Sequence, residues 1–489
     1  MIRHIAQLVK LERVVLIRVV VVAVTLFALP VVGIMPVWLS PRVSPFLILV
    51  PLVAALGALV FLQYLESGII AMLLAAVFIR FRIPTGTASE IVISLVICAG
   101  CIALWIIRML IQDKSLSLKP SPVNTPLLAF IATVPISWFW GQAFRDPLVH
   151  EIGHPLVAIA AGLVIMLLPA CLLLVANTID SMRWLQALVW IVLGEGLVVL
   201  FLDIGSTLVG GALRDLRIFL YTNGIIHLNS HGLLSMWCIS FALAIALFNR
   251  RIGWLGRGLL IAYAGAWVYW GFYLRTSWLT GWAPAFVAAS VVAYLRSKRL
   301  FLVVAAIVLL VAGAYYIRTA FEAETLESGY TRLSAYAVNW RITKRHLLFG
   351  TGPAGYASYY MSYFPTQAMA SHSNYIDIFA QTGIVGSIFF MWFFGAQAWG
   401  SYRLQRRLQE HNDFARSLAV AVLGGTAGCI VAMGLGDWVT PFAYTQGVIG
   451  FDLAMLNWVF MGSIWALNSI LQSELSTVDG IGVSGEASL

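Results

Sequence analysis

The chain has 489 residues, of which 61% are hydrophobic and 10% charged, and its formal net charge is +9. A soluble domain carries about 25% charged residues, so a soluble enzyme, a disordered protein, a secreted disulfide scaffold and a coiled coil are all excluded. The apolar runs are continuous rather than alternating, which excludes a transmembrane barrel. The basic residues sit in short clusters between those runs, where orientation signals belong, so the excess charge does not indicate nucleic acid.

The fold class expected is an all-α polytopic integral membrane protein. At about 20 apolar residues per span, the chain predicts about 12 to 14 transmembrane helices. Their centres fall near Thr25, Val53, Leu74, Cys98, Ile131, Ile165, Val192, Phe241, Gly265, Ala288, Ile307, Met391, Leu423 and Asn457. The first run, residues 19–39, lacks a small-residue cleavage site and reads as a span rather than a signal peptide. All five cysteines lie inside apolar runs, so no disulfide framework is implied. Cys98-Ala99-Gly100-Cys101 fits a CxxC pattern, but mid-span a thiolate is disfavoured and small residues suit a helix contact.

His150-Glu151-Ile152-Gly153-His154 fits the zinc-protease pattern HExxH, which needs both histidines on one helical face. Pro155 follows at once and disfavours helical backbone in the residue before it. The segment is therefore expected to be a polar turn opening the sixth span, with Pro155 at an early helical position and no metal bound. Gly350-Thr351-Gly352-Pro353-Ala354-Gly355 fits GxGxxG, but a basic segment precedes it and a tyrosine-rich one follows. Without a βαβ context it reads as a glycine-rich turn. No cofactor is expected.

With the N-terminus in the cytoplasm, eighteen Lys and Arg fall in inside segments and seven outside, setting apart five in one long loop. That split predicts cytoplasmic N- and C-termini. Two outside segments are long enough to be functional, residues 203–231 and 318–372. The organisation expected is an N-terminal transmembrane bundle over residues 1–317, an outer helical loop over 318–373, C-terminal transmembrane helices over 374–472, and a disordered cytoplasmic tail over 473–489.

One stretch carries a resemblance. It opens with Tyr330-Thr331-Arg332-Leu333 and Asn339-Trp340-Arg341. It continues through His346-Leu347-Leu348-Phe349-Gly350-Thr351-Gly352, and then Ser371-His372-Ser373-Asn374-Tyr375-Ile376-Asp377. It closes on Gln381-Thr382-Gly383-Ile384-Val385-Gly386. This order resembles the O-antigen ligase/polymerase family of bacterial membrane glycosyltransferases. The run from Arg80 to Thr87 also looks like a piece of that family.

The resemblance implies an inner-membrane enzyme with its site on the periplasmic face. Such an enzyme moves a glycan from a polyprenyl-diphosphate-linked oligosaccharide to an acceptor glycan or lipid. Some members glycosylate protein. Membrane lipids and polysaccharide assembly proteins would be its partners, and neither metal nor nucleotide sugar is used. Chemically, a sugar–diphosphate bond that breaks without a metal needs cationic side chains on the leaving group, and a neutral His can take the acceptor proton.

His372 is the candidate base and Arg332 the candidate diphosphate clamp. Arg275, Arg341, Lys344, Arg345, Asn374, Arg214 and Arg217 are candidates for substrate binding. Tyr356, Tyr359, Tyr360 and Tyr363 are candidates for stacking on sugars. Family members carry a further arginine in a Ser-Arg-Gly/Ala setting, where this chain reads Thr280-Gly281-Trp282. Either Arg275 replaces that group or half of the clamp is absent. The alternatives are a transporter or flippase for lipid-linked oligosaccharides, and a non-catalytic scaffold.

Overall fold

The computed structural model describes residues 64–79, 82–84, 90–146, 155–222, 233–274, 279–311, 330–363, 371–410 and 413–485. The expected spans at Thr25 and Val53 lie outside these residues. So do His150, Glu151 and His154, Arg275, and all of the Arg80–Thr87 run but residues 82–84. The chain falls into two compact units, Met1–Ala71 with Ile97–Leu116, and Met72–Val96 with Ser117–Leu489.

Fifteen α-helices are described. The first two are α1 (Leu65–Phe78) and α2 (Ile93–Arg108), the latter closed by a π turn. Between them lies a short antiparallel hairpin, β1 (Arg82–Pro84) with β2 (Glu90–Val92), tied by an Arg82–Glu90 ion pair at 3.0 Å. Most of the first unit's described residues belong to α2 and its π turn.

The second unit holds the remaining helices. They are α3 (Asn124–Ala143), α4 (Pro155–Thr178), α5 (Met182–Leu208), α6 (Gly211–Thr222), α7 (Leu234–Phe248) and α8 (Trp254–Tyr269). There follow α9 (Leu279–Arg296), α10 (Lys298–Val311), α11 (Tyr330–Thr343), α12 (Gly355–Tyr363), α13 (Asn374–Arg407), α14 (Phe414–Leu435) and α15 (Gly450–Gly485). Among the described residues, six helices are long and apolar enough to cross a membrane: α2 with its π turn, α4, α5, α13, α14 and α15. Each of the twelve expected centres that falls in described residues lies within a helix. Pro155 is the first residue of α4, where a missing backbone donor costs nothing.

The structure moves two expected boundaries. Helix α5 continues through Leu208, so the first outer segment starts later than Asp203. Asp203 stays helical because its carboxylate is paired from the side rather than solvated. Helix α15 runs on to Gly485, past Ser473, where the polar composition predicted a disordered tail. Its Ser473 hydroxyl bonds back to the Ile470 carbonyl, the local pattern by which Ser is tolerated in a helix.

Helix α14 is packed on several sides, by α7, α9, α13 and α15. Its glycines allow this. A Cβ on Gly424 would stand 2.9 Å from the Ala288 carbonyl oxygen of α9, and one on Gly428 2.8 Å from that of Pro284. Small residues let backbones close to this range where no hydrophobic effect drives helices together. Buried polar links supplement the packing. The Trp237 indole donates to Asn457 at 2.8 Å, and the Trp465 indole to Gln397 at 2.7 Å. None of the five cysteines is in a disulfide.

Candidate active site

The site region grows from a break in a spanning helix. Within α13, Gly383 adopts φ 66° and ψ −164°, a left-handed conformation that favours glycine. The break leaves carbonyls above it and amides below it without helical partners, which in a membrane must be satisfied by protein. The glycine-rich turn does this. Thr351 N–H donates to the Ala380 carbonyl at 2.9 Å and Gly352 N–H to that of Gln381 at 3.0 Å. In return, Ile384 N–H donates to the Leu347 carbonyl at 2.8 Å and Val385 N–H to that of Leu348 at 3.3 Å. The Gln381 side chain accepts from Ala354 N–H at 2.8 Å.

So close a fit excludes side chains. A Cβ on Gly350 (φ 72°) would lie 2.5 Å from the Gln381 backbone, and one on Gly383 2.5 Å from Leu348. The GxGxxG segment therefore serves as a clamp on α13, in keeping with the turn expected from its flanks.

Directly before α13 stands His372, half-buried with φ 51°, a strained conformation for a residue with a Cβ. The flanking serines hold it there. Ser371 Oγ accepts from Ser373 N–H at 3.2 Å and lies 2.5 Å from Asp377 Oδ1, closing a turn across His372. The Tyr356 hydroxyl of α12 donates to the same Asp377 oxygen at 2.5 Å. Asp377 is buried, and its second oxygen has no hydrogen-bond partner among the described residues.

Asn374 anchors the opposite side. Its amide donates to the Thr440 carbonyl at 2.5 Å and accepts from Val439 N–H at 3.1 Å, with the side chain fully buried. These partners belong to the buried non-helical segment between α14 and α15. Asp437 organises that segment by accepting from Phe442 N–H at 3.2 Å, from Gln446 at 3.3 Å and from the Thr445 hydroxyl. These bonds tie Asn374, and with it the start of α13, to that segment.

A second His lies in the same cap. His346 Nε2 is 2.5 Å from the Tyr359 hydroxyl. Burial pushes His346 below its ordinary value, helped by the Arg345 charge and opposed by Asp146. Burial raises Tyr359. Tyr356 is raised well above the usual tyrosine range by burial and by the Asp377 carboxylate.

The cationic candidates are distributed as follows. Arg332 is in the first turn of α11 and Arg341 in its last, where a cation complements the helix dipole. Arg341, Lys344 and Arg345 are exposed, and Arg345 reaches Asp146 at 2.7 Å. Arg214 is exposed on α6. The Arg217 guanidinium pairs with the buried Asp203 at 3.0 Å, beside the Trp270 indole at 2.8 Å from the other carboxylate oxygen, and so ties α6 to α5. Tyr356 corrects an expectation: fully buried and stacked on Phe442 at 4.6 Å, it presents no face to a sugar.

Reasoning from sequence missed Asp377, Ser371, His346 and Asp437 as members of the site. Ser371 and Asp377 stand inside the very string that carries His372, six positions apart, but their meeting depends on the turn between them.

These features define a polytopic α-helical membrane protein whose capping helices clamp a broken spanning helix and hold a strained His at its mouth. A family model described as O-antigen ligase matches residues 234–391, from the start of α7 into α13. Over these residues the chain is similar to that family. No curated protein matches the chain.

Proposed function

We propose that this protein is a bacterial inner-membrane glycosyltransferase acting on the periplasmic face. It transfers or polymerises glycan from an undecaprenyl-diphosphate-linked donor onto an acceptor hydroxyl, without a metal and with inversion. The observation that carries the reading is the ligase-family match over residues 234–391, which contains the His372 turn and the glycine clamp.

His372 removes the acceptor hydroxyl proton as the new oxygen–carbon bond forms at the anomeric carbon. The bond from that carbon to the diphosphate oxygen breaks on the opposite face. Its electron pair leaves as diphosphate charge, which Arg332, Arg341 and Lys344 stabilise, with Arg275 and Arg345 assisting. Arg345 contributes less because Asp146 already neutralises part of its field.

The test is transfer by purified protein from a polyprenyl-diphosphate oligosaccharide, with EDTA present and acceptors added singly. His372→Ala and Arg332→Ala, both folded, are expected to lose on the order of a hundredfold or more in rate. Wild-type rates in either would end this mechanism.

One observation favours transport of the same lipid-linked glycans as a second reading. Glu195, midway along the 27-residue α5, is buried with neither carboxylate oxygen hydrogen-bonded among the described residues. Intramembrane ionisable groups commonly mark transport pathways. Translocation by reconstituted protein in the absence of any transfer product would support that reading.

A further inference from the structure

We propose that a basic cluster at the end of the bundle opposite the His372 turn binds the phosphate group of an anionic phospholipid. It is built from the turn of residues 249–253 between α7 and α8, the C-terminal end of α9 and the first turn of α14. The turn carries Arg250 and Arg251, α9 ends on Arg296, and α14 brings its N-cap Asp413 and Arg416. The far end of α14 reaches Gly436, whose carbonyl accepts from the Asn374 N–H next to the His372 turn. Arg416 and Gly436 stand about 20 residues apart along a helix, on the order of 30 Å, the thickness of a hydrocarbon core.

Arg416 is the centre of the cluster. Its guanidinium carbon lies 5.0 Å over the ring of the buried Phe248, and its Nη1 donates to the Gln409 carbonyl at 2.5 Å. Those two contacts fix the plane of the fork. Its Nε is screened from water and has no hydrogen-bond partner among the described residues. The edge left over, Nε with Nη2, is the pair of parallel donors that matches two phosphate oxygens. A screened donor without an acceptor costs free energy, which an oxyanion on that edge would recover. Arg250 and Arg296 stand near enough for their charges to act on Arg416, and both are exposed. Among the described residues the acid paired with the group is Asp413, 3.9 Å from Arg251 and already accepting from Ala415 N–H at 3.1 Å. Four guanidinium charges against one carboxylate leave a positive excess that attracts an anion.

The surroundings mark a headgroup layer. Trp254, at the start of α8, is 85% exposed. Near the C-terminal end of α13, Arg403 lies 4.9 Å over the Trp399 ring and Arg406 5.9 Å over that of Tyr402. Exposed aromatic rings with cations beside them gather at the level of lipid phosphates. Orientation alone needs basic residues in a loop; it does not need them gathered around a guanidinium held on a ring. A zwitterionic lipid would bring its own ammonium into this positive field, so an anionic one fits better. The adjoining α8 exposes Leu255 and Leu259 one turn apart, an apolar run for acyl chains that a soluble phosphate would not use.

The test uses the full-length protein, delipidated in an uncharged detergent. Phosphatidylglycerol or phosphatidylcholine is added in mixed micelles, and bound lipid is counted by native mass spectrometry. The wild-type chain is expected to hold phosphatidylglycerol at least about tenfold more tightly than phosphatidylcholine. Arg250→Gln combined with Arg296→Gln should weaken that binding about tenfold or more. Arg183→Gln combined with Arg403→Gln removes as much charge from exposed positions outside the cluster and should leave binding nearly unchanged. Arg416→Lys keeps the charge but loses the fork, and should weaken binding several-fold. Equal losses in the two double variants would mean diffuse attraction to a charged surface, and overturn the site. Equal binding of the two lipids overturns it as well. Displacement of the lipid by inorganic phosphate at the same concentration would make the ligand a soluble anion and overturn the lipid assignment. The positions changed in the double variants are exposed, so folding is retained, and elution as a single species in detergent confirms it.

Discussion

Two hydroxyls converge on one oxygen of Asp377, one from Ser371 and one from Tyr356, each at 2.5 Å. They couple the turn bearing His372 to α12, so Asp377 acts as a positioning residue behind the proposed base. Asp377→Ala is expected to lower the transfer rate at least about tenfold and to cost about 1–3 kcal/mol, since two buried hydroxyls lose their acceptor. Asp377→Asn keeps an acceptor oxygen and should recover most of the stability. A purely structural role would leave the pH profile of the residual transfer unchanged in both variants; a shift of its acidic limb, where a general base is protonated, marks the link to His372. His346 titrates with the same sign of consequence as a salt-bridged carboxylate. Its folded value lies below the ordinary 6.5, so the unfolded chain binds more protons and cap stability rises with pH. That contribution is complete above 6.5 and is lost as pH falls through the lowered value. Hydrogen exchange across residues 344–363, corrected for intrinsic rates, should therefore accelerate as pH drops below 6.5. His346→Gln should flatten that dependence.

At the scale of elements, the decisive arrangement is a broken helix and the turn that repairs it. Four backbone hydrogen bonds cross between the glycine turn and the break in α13, and two glycines with positive φ meet there, Gly350 and Gly383. Gly383→Ala combines a strained φ with a methyl group 2.5 Å from the Leu348 backbone. It is expected to destabilise by on the order of 2–4 kcal/mol, measured as a lowered thermal midpoint in detergent, with transfer lost in parallel. Ala substitution at Gly395, where an added Cβ meets nothing within 4 Å, serves as the control and should be neutral. The GxGxxG string was legible as a turn from its flanks, but its partner was not, because the contact joins residues some thirty positions apart. Helix α6 was likewise hidden inside what the sequence presents as an outer segment of mixed polarity.

For the whole molecule, the charge distribution predicts both termini on one side of the membrane and the cap on the other. Reporter fusions at the two termini and within residues 318–329 should report opposite compartments. Agreement of all three reporters on one side would invert or break the topology. What the amino-acid order by itself determined was the class: continuous apolar runs can only be buried as spanning helices, and their centres fall on helices wherever the structure is described. It also carried the motif containing His372, since a local string survives without knowledge of the fold. Tertiary structure alone decided the duties of the polar residues. Arg217 and Asn374 read as candidate substrate ligands in sequence, and only the fold shows that one pairs with Asp203 and the other with Thr440 and Val439. Asp377 carries no such signal and Tyr356 reads as a sugar-stacking residue, yet both support the His372 turn. Apolar burial is written locally, residue by residue, in hydrophobicity. A buried polar group takes its meaning from its partner, and the partner is supplied by chain folded in from elsewhere.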